Sequence, residues 1–558
     1  MEGTYVKSHV RIENCLKEIR TKNIKECLQR YAKTKSKIEA LVFVSTDGER
    51  QSITWSNLYE RSCATAGSMI RLGVKRNEIV AINLRTCPEW LYATFGAMIA
   101  GAIPVSVSFT YTDGSDLVAI MERMKCCSLL IMDPGFDNVN WNIAQGLLDE
   151  YNDNGDIKSA KLPYLRYLVG VGFENCSDPV KHFQDLLNGT DSDADFPDLE
   201  SEDVATMLQT SGSTGVPKLV VHTHASLISV AGSELILIDP NYKVFNDRPF
   251  NWIGGFPFSV LTGQSRVTIS GFCEAPTNRV SFMKDVIEKE RCSLILALPP
   301  LMVELIRIQD ELPSDWPVIG ILTGGQPMTK ALTKVIGKAA KFLCCLYGSS
   351  EALFLTQSLV TNSESFVEYG CGTPLPLQGV EMKIVDDYGQ TVPVETRGEI
   401  YSRSPSMFKE YFHNQQKTEA VMTGDGWYKT DDIGRMTEKG EFFVEGRKSN
   451  IIISGGKNVS PEMLEHVMKT FSEVESVVMV PVPDEVFYQV VCACIVLKAG
   501  SDITEQQLRM QCQNLYTDKT GLFTVLPTFY MFLENIPETK TGKIDRKELE
   551  RLACSKFR

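Results

Sequence analysis

Apolar runs alternate with amphipathic segments through the middle of the chain. The runs SLILAL (293–298), VIGIL (318–322) and FLCCL (342–346) are typical of buried strands, and the intervening segments LMVELIRIQ (301–309) and TKALTKVIGKAAK (329–341) are predicted to be helices. Strands and helices that alternate in this way favour a parallel sheet covered by helices.

Two polar segments directly follow predicted strands. TGGQP (323–327) comes after the second of these strands, and YGSSE (347–351) comes after the third. Ligands of open parallel sheets bind at the carboxyl ends of the strands. We therefore expect the two segments to border one site.

A third polar segment, TSGSTGVPK (210–218), lies between the apolar runs VATML (204–208) and LVVH (219–222). This pattern predicts a loop that joins two strands. Its backbone amides and hydroxyls could surround a phosphate chain, and Lys218 would supply a mobile positive charge. It is not a Walker A loop, because a strand follows it and leucine follows the lysine. Taken alone, the segment is equally consistent with a phosphate site and with a simple turn.

Shorter elements follow EGRKSN (445–450). SPEMLEHVMKTF (460–471) predicts a helix, and ESVVMVPV (475–482) and VVCACIVL (490–497) predict strands. The segment TEQQ at 504–507 fits a capping box at the start of a further helix, and Asp545 is predicted to cap the last one. These elements indicate a separate α+β domain of ordinary size.

Composition narrows the possible functions. The chain has 558 residues and a net charge of −13, which argues against nonspecific binding to nucleic acid or to anionic membranes. Sixteen cysteines without C-x-x-C spacing and only six histidines indicate reduced core thiols rather than disulfides or a zinc site. We expect a cytoplasmic protein, with mitochondria and peroxisomes as open alternatives, because the N-terminus has no apolar signal core. The uncharged segment 90–109 is predicted to be a buried helix and strand, since two glycines and Pro104 interrupt it.

Eight short motifs occur in a fixed order between residues 210 and 543: TSGSTGVPK, GGQP, YGSSEA, GEI, WYKTDD, EGRK, SGGKNVSPEMLE and PETKTGK. This ordered series resembles the adenylate-forming superfamily, which includes acyl-CoA synthetases such as the medium-chain acyl-CoA ligases, stand-alone adenylation domains and beetle-type luciferases. The resemblance implies an α/β fold with a large N-terminal domain (1–446) of layered sheets and helices around a parallel-sheet core. It also implies a hinge (447–450) and a small mobile α+β domain (451–558).

The resemblance also implies a role for individual residues. Those placed around the nucleotide are Thr210, Ser211, Gly212, Ser213, Thr214, Gly215 and Lys218 at the β- and γ-phosphates of ATP, Gly325, Gln326, Pro327 and Tyr347 at adenine, and Asp432 and Arg447 at the ribose hydroxyls. Those placed at the reacting groups are Ser350 at the α-phosphate, Glu351 as the Mg²⁺ ligand, Lys543 at the acid carboxylate and α-phosphate, and Gly455 and Gly456 along the pantetheine channel of CoA. Cations suit this chemistry because a carboxylate that attacks a triphosphate must overcome anionic repulsion.

The implied reaction joins a carboxylic acid to a thiol in two steps. ATP first activates the acid as an acyl-AMP, and CoA then takes the acyl group, with release of pyrophosphate and AMP. CoA is the expected acceptor because the sequence contains no carrier domain, and an external carrier protein is the alternative. Trp252, Gly255 and Phe256, from PFNWIGGFPFSVLTG (249–263), predict an apolar, aromatic pocket for a fatty or arylalkyl acid.

The sequence departs from the superfamily pattern at several positions. Relatives often have a histidine next to glycines in the stretch that corresponds to 249–263, and its absence weakens the alternative of a luciferase-like monooxygenase. Ser449 and Asn450 replace residues usual at the hinge, and Asp431 replaces the glycine of a T-G-D motif. The added charge of Asp431 is expected to lower nucleotide affinity. These departures leave open a pseudoenzyme that binds nucleotide without turnover.

Overall fold

The structure is a computed structural model. It describes residues 6–12, 21–107, 114–125, 127–152, 156–173, 181–188, 195–210, 218–232, 239, 241–271, 278–325, 328, 330–367, 370–374, 379–450, 452–454, 457–459, 461–484, 488–517, 525–539 and 543–557.

The chain divides into two compact units. The larger unit comprises Val10–Met382 and Ser402–Tyr428, and the smaller unit comprises Met1–His9, Lys383–Tyr401 and Lys429–Arg558. The hinge predicted at 447–450 lies inside the smaller unit. The predicted domain limits themselves stay a prediction.

The strands, in chain order, are β1 (His9–Arg11), β2 (Glu39–Val44), β3 (Arg50–Thr54), β4 (Ile79–Asn83), β5 (Ile103–Ser106), β6 (Cys127–Met132), β7 (Glu150–Tyr151), β8 (Ile157–Lys158), β9 (Tyr167–Gly170), β10 (Lys181–His182), β11 (Val204–Thr210), β12 (Lys218–Thr223), β13 (Lys243–Phe245), β14 (Ser265–Ile269), β15 (Leu294–Leu296), β16 (Gly320–Gly324), β17 (Phe342–Ser349), β18 (Leu353–Val360), β19 (Gly370–Pro374), β20 (Glu381–Val385), β21 (Gly398–Arg403), β22 (Glu410–Tyr411), β23 (Tyr428–Met436), β24 (Phe442–Arg447), β25 (Ile452–Ser454), β26 (Lys457–Val459), β27 (Val474–Asp484), β28 (Tyr488–Leu497) and β29 (Phe529–Phe532).

The α-helices are α1 (Ile24–Thr34), α2 (Trp55–Arg71), α3 (Pro88–Ile99), α4 (Ser115–Arg123), α5 (Val139–Gln145), α6 (Phe183–Leu187), α7 (His224–Gly232), α8 (Phe258–Thr262), α9 (Arg279–Lys289), α10 (Pro299–Arg307), α11 (Gln415–Val421), α12 (Pro461–Met468), α13 (Glu505–Thr517) and α14 (Arg546–Phe557). Short 3₁₀ turns lie at Phe136–Asn138, Gln309–Glu311, Lys330–Val335, Ser363–Ser365 and Lys448–Asn450.

Among its described residues, the larger unit contains two large sheets and the two-stranded sheet β7-β8. One has the strand order β10-β9-β6-β4-β5-β11-β12-β22, and the other contains the run β19-β18-β17-β16-β15-β13-β14-β2-β3. Strands β2, β14, β13, β15, β16 and β17 pair in parallel, which confirms the predicted parallel core. Their apolar side chains form a buried cluster with helices α9 and α10. The layered α/β fold is therefore the one expected from the alternating pattern.

Two of the predicted helices in this unit are present and one is not. Helix α3 begins at Pro88 and α10 at Pro299, where proline favours the first helical turn. The helix predicted over 329–341 is wrong, because its described part is a 3₁₀ turn, Lys330–Val335, followed by irregular chain. Gly337 has a φ of 129°, outside the helical region, and Ile336 forms a bridge with Ala340. The apolar side chains of this segment pack in the same buried cluster as those of α10, although the backbone between them is not a regular helix.

The smaller unit has a sheet in which β26, β25, β28 and β27 follow one another and β29 pairs with β28. It also contains most residues of the run β20-β21-β23-β24. The predicted capping box is confirmed, since the Gln507 N–H donates to Thr504 Oγ1 (3.3 Å) and the Thr504 N–H donates to Gln507 Oε1 (2.8 Å). Asp545 caps α14 by accepting from the Glu548 N–H at 3.0 Å.

Among the described residues, none of the helices combines the length and the apolar character that a membrane span needs. Segment 90–109, in its described part, divides into α3 and β5. Trp90 and Phe95 of α3 are both buried in the larger unit.

Candidate active site

An antiparallel pair of strands flanks the segment that is predicted to bind phosphate. Thr210 at the end of β11 lies opposite Lys218 at the start of β12, so the two predicted strands are confirmed. The predicted phosphate-binding residues Ser211, Gly212, Ser213, Thr214 and Gly215 lie outside the described residues. The structure therefore fixes both ends of the loop.

Two neighbouring parallel strands carry residues that are predicted to lie at adenine. Strands β16 and β17 pair from Gly320↔Phe342 to Gly324↔Leu346, so both predicted polar segments begin in the carboxyl-terminal parts of these strands, at the same edge of the sheet. Gly325 follows β16 with a φ of 85°, a left-handed conformation that favours glycine. Tyr347 lies in β17. Gln326 and Pro327 lie outside the described residues.

Ser350 and Glu351 occupy the tip of the hairpin between β17 and β18, where three consecutive carbonyl oxygens each accept a hydrogen bond from elsewhere in the larger unit. His222 Nε2 contacts the Ser350 oxygen at 2.7 Å, and the Phe408 N–H donates to the Glu351 oxygen at 2.7 Å. Ser406 Oγ donates to the Ala352 oxygen at 2.8 Å. Together these bonds fix the backbone that carries both side chains.

His222 was missed by the reasoning from sequence, although it lies in the strand after the phosphate loop. Its side chain is fully buried in β12, and Nδ1 lies 3.1 Å from Ser226 Oγ. Burial lowers the pKa of His222 to about 4. The neutral ring must carry its proton on Nε2, because the Ser350 carbonyl can only accept. The only sequence signal was a polar residue at a buried strand position.

Tyr411 of β22 was also missed, and it connects the two predicted catalytic charges. Lys218 Nζ lies 4.6 Å from the centre of the Tyr411 ring, and the Tyr411 hydroxyl donates to Glu351 Oε1 at 2.7 Å. Burial raises the pKa of the Tyr411 phenol, and the neighbouring Glu351 carboxylate raises it further. The phenol therefore stays protonated and can donate. One side chain thus holds a cation by its ring and an anion by its hydroxyl.

The predicted acid-pocket residues occupy different environments. Phe256 is 4% exposed and lines a cavity together with Trp90, Phe250 and Asn251, whereas Trp252 is 38% exposed. Gly255 cannot be replaced without rearrangement, because a Cβ there would lie 1.8 Å from the Pro249 carbonyl oxygen. The structure therefore places Phe256 at an aromatic cavity and Trp252 partly at the surface.

The two predicted ribose ligands lie together in the smaller unit. Asp432 of β23 pairs with Arg447 of β24 across the sheet, and Arg447 Nε lies 2.7 Å from Asp432 Oδ1. Asp432 is 5% exposed, so its carboxylate is held in a fixed position. Asp431 has a φ of 63°, a left-handed conformation that explains why a glycine suits this position.

The predicted hinge is anchored within the smaller unit on both sides of Ser449. Lys448 Nζ donates to Glu399 Oε2 at 2.9 Å, and Asn450 Nδ2 donates to Glu462 Oε1 at 3.0 Å. The side chain of Ser449 lies outside the described residues. Asn450 therefore has a structural contact that its sequence position alone did not indicate.

Lys543 is exposed at the end of a turn in the smaller unit. The Thr539 N–H donates to the Lys543 carbonyl at 2.6 Å, and the Lys543 N–H donates to Thr539 Oγ1 at 3.3 Å. These bonds fix the backbone of Lys543 and leave its side chain on the surface. Gly455 and Gly456, predicted for the pantetheine channel, lie outside the described residues.

A glycine-rich segment between two strands, an acid at the tip of the β17–β18 hairpin and a separate α+β unit are the features expected of an adenylate-forming enzyme. The AMP-binding enzyme family matches residues 28–412, and the AMP-binding enzyme C-terminal domain matches residues 463–543. The chain therefore belongs to the AMP-binding enzyme family. It is a ligase of the acyl-CoA synthetase and CoA ligase group within that family.

Individual relatives are similar over most of their length. The chain is 26% identical over 555 residues to the mitochondrial medium-chain acyl-CoA ligase ACSF2 of Danio rerio, covering 95% of this chain and 88% of the relative. It is 27% identical over 530 residues to 4-coumarate–CoA ligase 3 of Oryza sativa subsp. japonica, covering 91% and 89%. The crystal structure of ATP-bound MatB from Rhodopseudomonas palustris shares the fold, with a TM-score of 0.77 at 20% identity, covering 96% of this chain and all of that one.

The buried histidine predicts a loss of stability in acid. Because the pKa of His222 is about 4 in the folded chain and near 6.5 when unfolded, its contribution is complete above pH 6.5 and is lost as the pH falls toward 4. We expect the free energy of unfolding to fall by on the order of 3 kcal/mol over this interval from His222 alone. Chemical denaturation at a series of pH values measures this change in the free energy of unfolding.

The variant His222→Gln should show a shallower pH dependence, because it removes the group that titrates. His182→Gln, at an exposed position, is the matched control and should keep the wild-type slope. His224, whose pKa burial also lowers to about 4, contributes to the slope that remains in His222→Gln. An unchanged slope in His222→Gln would contradict the assignment.

Proposed function

We propose that this protein activates a carboxylic acid with ATP and transfers the acyl group to CoA. In the first step, a carboxylate oxygen of the acid attacks the α-phosphorus of ATP, and the bond to pyrophosphate breaks. In the second step, the CoA sulfur attacks the acyl carbon, the thiol gives up its proton, and AMP leaves. The products are an acyl-CoA thioester, AMP and pyrophosphate.

The observation that carries this proposal is the contact of Tyr411 with Lys218 and Glu351. It brings a cation and a carboxylate to one place, next to the end of the glycine-rich loop and the tip of the β17–β18 hairpin. Transfer at a phosphoryl centre depends mainly on positioning and on stabilisation of charge. Lys218 is suited to the phosphate oxygens of ATP, and Ser350 is suited to the α-phosphate.

The residues at the hairpin tip suit a magnesium ion bound jointly with ATP. Glu351 Oε1 accepts the Tyr411 hydroxyl, and the carboxylate keeps a second oxygen for a metal. In the described part of the chain, no three His, Cys, Asp or Glu side chains cluster as a metal cage. Mg²⁺ is commonly held by one or two carboxylates together with substrate phosphates and water. Bound there, Mg²⁺ would offset negative charge on the phosphates.

The acid is proposed to be fatty or arylalkyl. Phe256, Phe250 and Trp90 give the cavity an aromatic wall, and Trp90 and Phe256 meet edge to face with ring centres 6.3 Å apart. The same cavity also has polar lining residues, which could orient the carboxylate of a bound acid: Thr94, Ser106, Thr206, Gln209 and Asn251. Phe256 therefore supports the predicted pocket, whereas the half-exposed Trp252 is suited to its entrance.

Residues of the smaller unit keep the roles that the sequence predicts for them. The carboxylate of Asp432, fixed by Arg447, suits the hydroxyls of ribose. Lys543 would supply positive charge where the acid carboxylate meets the α-phosphate. Gly455 and Gly456 are proposed to line the path of the CoA thiol.

An exchange assay with a panel of acids tests the proposal. Incubation with ATP, Mg²⁺, labelled pyrophosphate and straight-chain or aryl-substituted acids should give acid-dependent label in ATP. Addition of CoA should then give acyl-CoA. Exchange without acyl-CoA would favour an external carrier protein, and light emission with oxygen would favour a monooxygenase. ATP binding without exchange for any acid would contradict the proposal in favour of a pseudoenzyme.

Lys543→Ala should lower the rate of acid-dependent exchange by about 100-fold or more, because a lost electrostatic contact to the reacting groups acts mainly in the transition state. ATP affinity should change little. Lys547→Ala, another exposed lysine four residues later, is the matched control and should exchange at the wild-type rate. Wild-type exchange in Lys543→Ala would remove this residue from the reaction.

Tyr411→Phe should raise the Mg²⁺ concentration for half-maximal exchange by about 10-fold. The variant keeps the ring beside Lys218 but loses the hydroxyl that orients Glu351, a bond to a charged group worth about 1.5 kcal/mol. Tyr92→Phe, which removes a buried hydroxyl from α3, is the control. An unchanged Mg²⁺ requirement in Tyr411→Phe would show that the bond does not orient the metal ligand.

A further inference from the structure

Arg266 is a fully buried arginine in β14 whose guanidinium holds the segment that follows β13. Its Nε and Nη2 donate to the Asn246 carbonyl at 3.1 and 2.9 Å, and Nη2 also donates to the Arg248 carbonyl at 2.8 Å. Nη1 donates to the Gly255 carbonyl. Four N–H bonds therefore join three carbonyls that span residues 246–255, named here the pocket segment.

The charge of Arg266 is compensated mainly by the dipoles of backbone carbonyls and by an aromatic ring. Among the described residues, no carboxylate forms an ion pair with it, and its guanidinium lies 4.6 Å from the centre of the Phe250 ring. Burial lowers the pKa of Arg266 to about 9, and the nearby Asp247 carboxylate opposes that shift. The group is thus charged at neutral pH. A buried charge is costly unless such hydrogen bonds offset it.

The pocket segment also carries contacts of its own that depend on its shape. Asn246 Nδ2 donates to the Gly254 carbonyl at 2.9 Å, and Asn246 Oδ1 accepts from the Arg248 N–H at 3.0 Å. Gly255 packs so closely on Pro249 that a Cβ cannot fit. The segment is therefore a compact turn with Arg266 on its inner side.

The same turn supplies part of the cavity wall. Phe250 and Asn251 lie inside the pocket segment and Phe256 directly follows it, and all three line the cavity together with Trp90. A shift of the Asn246 or Gly255 carbonyl would therefore move the aromatic wall itself. Arg266 is linked to the cavity through these carbonyls and through its contact with Phe250.

We propose that Arg266 is a positioning residue that sets which acids the protein accepts, by holding the pocket segment against the aromatic cavity. This inference rests on the proposed acid-activating function. Arginine suits the role because its planar fork reaches several carbonyls at fixed angles, which the single ammonium of lysine cannot do.

The test compares Arg266→Met and Arg266→Lys with the wild type in acid-dependent exchange, using straight-chain acids of increasing length. We expect the ratio of kcat/KM between the preferred acid and one two methylenes longer to fall by about 10-fold in Arg266→Met. The KM for the preferred acid should rise while the KM for ATP stays within about 2-fold, since the pocket segment acts on the acid. Arg266→Lys should not restore the wild-type preference.

Thr268→Val is the matched control. Thr268 lies two residues along the same strand, is equally buried, and its hydroxyl has no hydrogen-bond partner among the described residues. This variant should keep the wild-type acid preference. If Arg266→Met does not fold, Asn246→Ala tests the same turn, because it removes the bond to the Gly254 carbonyl and leaves Arg266 in place.

The possible results separate the two proposals. No exchange by the wild type with any acid would overturn the proposed function itself. An active wild type with an unchanged acid preference in folded Arg266→Met, or in Asn246→Ala, would overturn the role of Arg266. An equal fall in kcat/KM for every acid would also overturn it, because a residue that sets selectivity must change the ratio of kcat/KM between acids.

Discussion

The tip of the β17–β18 hairpin is the constraint on which the candidate site depends. Three successive carbonyls there accept bonds from His222, Ser406 and the Phe408 backbone, so the chain that carries Ser350 and Glu351 is fixed from two other parts of the larger unit. Buried carbonyls that lose such partners are costly. The acid and the hydroxyl that the reaction needs therefore stand on backbone that is set before any nucleotide binds.

Tyr411 positions side chains at the same hairpin tip. Its hydroxyl donates to Glu351 and its ring lies beside Lys218, and among the described residues no ion pair joins these two charges directly. A direct ion pair would have to break before phosphate and metal could bind. Arg266 has a comparable role at the proposed pocket for the carboxylic acid. There, one buried side chain binds several carbonyls of the pocket segment.

Much of the fold could be predicted from the sequence, because it is encoded locally. Apolar runs gave the parallel strands, prolines marked the starts of α3 and α10, and the capping box at Thr504 is a four-residue pattern. The helix predicted over 329–341 failed because its spacing did not reveal the backbone turn at Gly337. His222 and Tyr411 were missed because their partners lie 128 and 60 residues away in the chain.

A crystal structure with Mg²⁺ and a non-hydrolysable ATP analogue would test the arrangement most directly. The expected result is a metal about 2.1 Å from a Glu351 carboxylate oxygen, with Lys218 Nζ about 3 Å from a phosphate oxygen. The Tyr411 hydroxyl would still donate to the other oxygen of Glu351. A nucleotide bound with its phosphates and metal away from both Lys218 and Glu351 would contradict the proposed active site.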